Sequence, residues 1–108
     1  MKVTKKGDFT IIHLEGRLDL QGAGSGQEEE FIAILNATDP RHIIVDLENV
    51  ESISSTGLRL LLKGAILIGN TGKFIIVNMN KEVEKVLKIT RLMSMFTICA
   101  SVDEALNK

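Results

Sequence analysis

The sequence predicts an α/β domain: a mixed, mostly parallel β-sheet of four to five strands, covered by about four helices. Two observations support this class. Short apolar, β-branched runs alternate along the chain with segments of helical periodicity, and the connections between them are short. The length of 108 residues suits one core, so we expect residues 1–108 to form a single domain with right-handed crossovers.

The N-terminal region predicts a β-hairpin. Residues 9–18, FTIIHLEGRL, combine apolar neighbours with alternation, which is typical of a strand. Lys2–Lys5 is expected to form a short preceding strand, with Gly7-Asp8 as the turn between the two. The hairpin would add an antiparallel edge to the sheet.

The first helix is predicted from about Gly26 to Ala37. Ser25 and Glu28 have the spacing of a capping box, and Asp39-Pro40 ends the segment. The apolar positions recur at helical spacing: Phe31, Ile34 and Leu35.

The middle of the chain predicts a central strand and the longest helix. His42–Leu47, HIIVDL, is a buried strand by composition, and Asn49–Ile53 is expected to be a loop with one or two apolar plugs. The segment ESISSTGLRLLL then opens a helix that runs to about Asn70 and is ended by Gly72.

The C-terminal third repeats the alternation. KFIIVNM predicts a buried strand, and Asn80 is placed to cap a helix from Lys81 to about Thr90. MFTICA predicts the last strand, and Ser101 with Glu104 forms a second capping box that opens a short terminal helix.

Composition and charge argue against several function classes. The formal net charge is −1, no run of five basic residues occurs, and Trp and Tyr are absent, so we expect neither nucleic acid nor a membrane as a partner. No apolar stretch approaches 18 residues and no signal-like segment opens the chain, so a cytoplasmic location is expected. Cys99, the only cysteine, predicts a reduced, buried thiol.

Candidate catalytic and cofactor patterns are weak. The glycines at Gly22–Gly26 are spaced G-x-G-x-G instead of G-x-G-x-x-G, and the acids that follow would repel a pyrophosphate. His13 and His42 have no ligand spacing, and no nucleophile–base pattern stands out. We therefore expect no catalytic residues, no metal, no cofactor and no enzymatic activity.

Three adjacent hydroxyl residues, Ser54, Ser55 and Thr56, precede the long helix at the carboxyl end of a predicted parallel strand. A helix start needs one capping hydroxyl, and the others can serve the backbone of the turn. Alternatively, an exposed hydroxyl there can carry a phosphate, which would add about −1.5 to −2 charges at pH 7 and change the surface while the fold stays intact. The residues alone leave both interpretations open.

Three segments resemble the STAS family of anti-sigma-factor antagonists, and together they span almost the whole chain. They are LEGRLDLQGA, IIVDLENVESISSTGLRLLL and FIIVNMNKEVEKVLKITRLMSMFTICASVDEAL. The third departs from the family pattern at Arg91, Met93 and Ser94, where a partner could make contact.

The resemblance implies a partner-switching regulator. Its partners would be an anti-sigma factor that is also a serine kinase, and a serine phosphatase that reverses the modification. Alignment on Gly57-Leu58 places the phosphoacceptor at Ser55, with Ser54, which replaces a frequent aspartate, as the alternative. The residues that the resemblance assigns to partner binding are Asp19, Ser54, Thr56, Gly57 and Arg59.

Two other functions remain open on the sequence. A STAS module can be an unphosphorylated structural subunit of a transporter or of another signalling assembly. In that case the hydroxyls only cap the helix and satisfy the backbone of the turn. A small nucleotide-binding or enzymatic domain would instead use the glycine loop at Gly22–Gly26.

Overall fold

The computed structural model describes residues 1–18 and 26–107. The strands are β1 (Lys2–Lys6), β2 (Phe9–Leu18), β3 (Arg41–Ile53), β4 (Gly72–Val77) and β5 (Thr97–Cys99). The helices are α1 (Gly26–Ala37), α2 (Ser55–Ile68), α3 (Lys81–Ile89) and α4 (Val102–Leu106), with single 3-10 turns at Gly69–Thr71 and Met93–Met95. The predicted α/β class is confirmed.

The five strands lie in the order β1-β2-β3-β4-β5. β1 is antiparallel to β2, and every other neighbouring pair is parallel. The N-terminal hairpin therefore forms the antiparallel edge that the sequence predicts. Because β2 to β5 run in the same direction, their carboxyl ends share one edge of the sheet, where α2 and α3 begin.

The prediction of a loop over Asn49–Ile53 is wrong, because β3 continues to Ile53. Val50 and Ile53 are buried while Glu48, Asn49 and Glu51 are exposed, so the segment has one covered and one solvated side. Its backbone pairs with the second half of β2, from Glu15↔Asn49 to Leu18↔Ile53. The long β2 therefore supplies the hydrogen-bond partners that make this polar stretch a strand.

Other boundaries shift by a few residues. α2 ends at Ile68, since Gly69 has φ 47°, and Gly72 is the extended first residue of β4 and does not end the helix. β4 ends at Val77, because the next residue, Asn78, has φ 60°. The last strand is only Thr97–Cys99. The capping box of Ser25 lies outside the described residues.

Two apolar clusters occupy opposite faces of the sheet. Helices α1, α2 and α3 cover one face, where they pack against alternate residues of the central strands. This cluster includes Ile12, Phe31, Leu35, Ile43, Val45, Leu60, Leu61, Phe74, Ile76, Val83 and Leu87. α4 covers the other face through Ala105, against Phe9, Ile11, Ile44, Ile75, Val77 and Cys99. Cys99 is buried, as predicted.

The helix layer is tightest where α2 crosses α1 and β4. The Phe31 and Phe74 rings meet edge to face at 6.4 Å between centroids, and Gly64 of α2 packs directly against them. A Cβ atom on Gly64 would lie 2.8 Å from Phe31 Cε2 and 2.8 Å from Phe74 Cε1. Glycine is therefore required here by the close approach of two buried rings.

A buried carboxylate lies on the other face. Asp46 Oδ2 accepts a hydrogen bond from His13 Nδ1 at 2.8 Å, and Oδ1 accepts from the Glu48 amide and Asn78 Nδ2, each at 3.0 Å. The His13 ring is also hydrogen-bonded to Thr4 Oγ1 at 3.0 Å. This network joins the edge strand β1 to β2, β3 and the turn after β4.

Burial alone would raise the pKa of the Asp46 carboxyl, but the hydrogen bonds from Asn78, Glu48 and His13 outweigh it and lower that pKa below its ordinary value. A carboxyl whose pKa is lower in the folded state contributes stability above its unfolded pKa, which is about 3.9 for aspartate. That contribution is lost as the pH falls through the lowered, folded value.

We predict that Gly64→Ala destabilises the protein, although alanine is the better helix former by about 1 kcal/mol. Overpacking against Phe31 and Phe74 is expected to cost about 1–3 kcal/mol, so the net loss should be up to about 2 kcal/mol. Urea unfolding measures it. A variant more stable than the parent would contradict this packing.

We also predict that Asp46→Asn lowers the free energy of unfolding by about 1–3 kcal/mol near pH 7, because a buried charge-assisted network is broken. The difference from the parent should begin to shrink below about pH 4, where Asp46 of the unfolded chain binds a proton, and should be lost as the pH falls through the lowered pKa of the folded state. Unfolding titrations at several pH values test it, and a difference that stays constant down to pH 2 would contradict the assignment.

Candidate functional site

The three hydroxyl residues lie where β3 passes directly into α2. β3 ends at Ile53 and α2 begins at Ser55, so Ser54 alone connects them. Ser54 is the N-cap residue, with extended backbone angles of φ −99° and ψ 177°. A strand that enters a helix through one residue fixes both the position and the direction of the helix start.

The hydroxyls of Ser54 and Thr56 form hydrogen bonds at the start of α2. The Ser54 hydroxyl oxygen accepts a hydrogen bond from the Gly57 amide at 3.4 Å and is bonded to the Thr56 hydroxyl at 2.8 Å. The Ser54 carbonyl accepts the Leu58 amide at 2.9 Å. Both side chains are half-buried, so these two hydroxyls have the capping and turn roles that the sequence left open.

Ser55 differs from both neighbours. It is the first residue of α2, its side chain is exposed, and its hydroxyl makes no hydrogen bond with residues 1–18 or 26–107. The exposed hydroxyl is therefore accessible to the active site of another protein.

The next turn of α2 combines burial with exposed charge. Gly57 and Leu58 are buried and hold the helix start against the core, whereas Arg59 is exposed. Farther along the same helix, Lys63 Nζ donates to Glu28 Oε2 of α1 at 2.9 Å. The surface around Ser55 thus carries two cations on α2, one of which is paired.

The pKa of Glu28 is lowered, chiefly by the hydrogen bond from Lys63. Partial desolvation opposes the shift, and the charges of Lys63 and Arg59 add to it.

Asn80 fixes the neighbouring loop to the strand that leads into the site. Its Oδ1 accepts the Val83 amide at 2.8 Å, which is the predicted helix cap. Its Nδ2 donates to the carbonyls of Val50 at 2.9 Å and Glu51 at 3.1 Å. This second role was not predicted from the sequence, because Val50 and Glu51 were assigned to a loop.

Five of the residues assigned to the site lie at the start of α2, within positions 54–59: Ser54, Ser55, Thr56, Gly57 and Arg59. The sixth, Asp19, lies outside the described residues, as does most of the glycine loop. His13, predicted to have no ligand role, is a partner of Asp46, which the sequence did not single out.

Two features are absent from residues 1–18 and 26–107. No group of three or more His, Cys, Asp or Glu side chains is arranged to hold a metal ion. None of the helices described there has the length and apolar character needed to cross a membrane.

Curated proteins and solved structures resemble this chain over nearly its full length. The anti-sigma-F factor antagonist RsfB of Mycobacterium tuberculosis is 27% identical over 104 residues, covering 96% of this chain and 84% of RsfB. A crystal structure described as an anti-sigma factor antagonist from Thermotoga maritima superposes with a TM-score of 0.84 at 27% identity, covering 98% of this chain and 91% of that one.

A third relative supports the fold alone. An anti-sigma factor antagonist from Mycobacterium paratuberculosis superposes with a TM-score of 0.87 at 22% identity, covering 98% of this chain and 89% of that one.

The family model for the STAS domain matches residues 1–105. With the five-stranded mixed sheet and a helix that starts at the serine pair, these matches show that the chain belongs to the STAS domain family.

Proposed function

We propose that the chain is an anti-sigma factor antagonist that works by partner switching in the cytoplasm. Unmodified, it binds an anti-sigma factor that is also a serine kinase, and phosphorylation of Ser55 ends the complex until a serine phosphatase removes the group. The observation that carries the proposal is the exposure of the Ser55 hydroxyl between two neighbours that hold the helix start. The names of the relatives support the same function.

The geometry favours Ser55 over Ser54 as the phosphoacceptor. A phosphate on Ser54 would replace the hydroxyl that accepts the Gly57 amide and contacts Thr56, so it would disturb the cap. A phosphate on Ser55 would enter solvent beside the amino end of α2, where negative charge is favourable. The fold would therefore stay unchanged while the surface acquires about −1.5 to −2 charges.

A charge of this size is sufficient to release a partner. The segment proposed to dock the anti-sigma factor comprises Ser54, Thr56, Gly57 and Arg59, of which Arg59 is exposed, Ser54 and Thr56 are half-buried and Gly57 is buried, with Asp19 carried over from the family resemblance. Burying a charge that no group of the docked partner neutralises costs about 2–5 kcal/mol. That corresponds to a loss of affinity of roughly thirty- to several-thousand-fold.

The direct test is a binding titration against the anti-sigma factor captured from the source cells. Ser55→Asp should weaken binding at least about tenfold, because a carboxylate carries part of the charge of a phosphate, while the melting temperature changes little. Ser55→Ala is the matched control and should bind like the parent. Equal affinity of Ser55→Asp and the parent would refute the proposal.

The free energies of unfolding of two alanine variants test whether Ser54 caps the helix and Ser55 has no structural role. Ser54→Ala should lower the free energy of unfolding by about 0.5–2 kcal/mol, because the N-cap is lost. Ser55→Ala should change it by less than about 0.5 kcal/mol, as expected for an exposed side chain. If instead Ser55→Ala were the destabilising change, Ser55 would be a structural residue and not a free acceptor.

A further inference from the structure

We propose that Arg59 is the internal partner of a phosphate on Ser55. In the unmodified chain its guanidinium faces outward and can meet a carboxylate of the docked protein; after phosphorylation it is drawn to the phosphate on its own helix. This inference rests on the proposed function, in that it takes Ser55 to be the modified residue. It adds how the modified state is held and which partner chemistry the unmodified surface selects.

The spacing on α2 makes the contact geometrically direct. Ser55 and Arg59 are four residues apart within the helix, and both are exposed. Side chains at this spacing lie on the same face with Cβ atoms about 5–6 Å apart. A guanidinium can form two parallel hydrogen bonds to phosphate oxygens, which a shorter or more mobile cation does not reproduce.

Arg59 is not engaged elsewhere in the part of the chain that the structure describes. Within residues 1–18 and 26–107 its guanidinium forms no hydrogen bond and no ion pair. A carboxylate that could compete for its charge is Glu28, whose pKa the charge of Arg59 helps to lower. Glu28, however, is hydrogen-bonded to Lys63 at 2.9 Å, so Lys63 neutralises that carboxylate and leaves Arg59 for the phosphate.

The same geometry distinguishes the three hydroxyls. Ser54 lies before the helix and its oxygen caps it, and Thr56 is half-buried and hydrogen-bonded to Ser54. Ser55 alone combines exposure with the four-residue spacing to Arg59. A phosphate there would form the pair without breaking any hydrogen bond described above.

The pair would enlarge the effect of phosphorylation on docking. The modification adds negative charge to the surface and also withdraws a cation from it. A partner that presents a carboxylate opposite Arg59 would lose an attraction and gain a repulsion in one step. The partner surface that fits this site is therefore acidic where it meets the first two turns of α2.

The test uses the full chain with phosphoserine incorporated at position 55 during synthesis, so that neither kinase nor partner is needed. Titration of the phosphate followed by ³¹P NMR gives its second pKa, which is about 6 in an isolated phosphoserine. We expect Arg59→Gln to raise that pKa by roughly 0.3–0.7 unit relative to the phosphorylated parent, since the pair favours the dianion. The difference should shrink in 1 M salt.

Two control variants make the result specific. Arg59→Lys should recover part of the shift, and Lys63→Gln, which removes an equal charge two helical turns from Ser55, should move the pKa by less than half as much as Arg59→Gln. Coincident titrations of the parent and Arg59→Gln would overturn the inference, as would an equal effect of Lys63→Gln. Either result would contradict only the pairing with Arg59 and not the proposal that phosphorylation of Ser55 ends partner binding. Conversely, if Ser55→Asp failed to weaken partner binding, the proposed function would be wrong, while the titration would still report on the pairing.

Discussion

The hydroxyl of Ser54 closes the amino end of α2, and the rest of the site depends on it. The first amides of a helix have no partner within the helix and must be satisfied locally. Here the Ser54 oxygen accepts the Gly57 amide, the Ser54 carbonyl accepts the Leu58 amide, and Thr56 is bonded to Ser54. Because none of these hydrogen bonds uses the side chain of Ser55, its exposed hydroxyl remains available for another purpose.

The scaffold keeps that hydroxyl in a fixed place. β3 leads into α2 through a single residue, and Asn80 ties the start of α3 to the last part of β3 by two hydrogen bonds. On the opposite face the buried Asp46 joins β2, β3 and the turn after β4. Recognition of one exposed side chain requires such rigidity, since a partner can read a small change of charge only on a surface that is otherwise constant.

Much of the fold could be predicted from the sequence because its signals are local. Runs such as HIIVDL and KFIIVNM have the composition of buried strands, and Asn80 and Ser101 act as the predicted helix caps. The extension of β3 could not be predicted in the same way, because its exposed Glu48, Asn49 and Glu51 interrupt the apolar run and its strand character comes from pairing with β2.

The candidate site, too, combines features that the local sequence predicts with features that depend on contacts in the fold. The hydroxyl triplet was visible as a surplus in the sequence, but which member is free depends on contacts among the three side chains. Likewise, the His13–Asp46 and Asn78–Asp46 bonds join residues 33 and 32 positions apart, beyond any local pattern.

The central claim is that a charge on Ser55 alters docking while α2 stays intact. Amide hydrogen exchange of the chain phosphorylated at Ser55 tests it most directly: protection across Ser55–Ile68 should match that of the unmodified chain, and loss of protection in the first turns of α2 would contradict it.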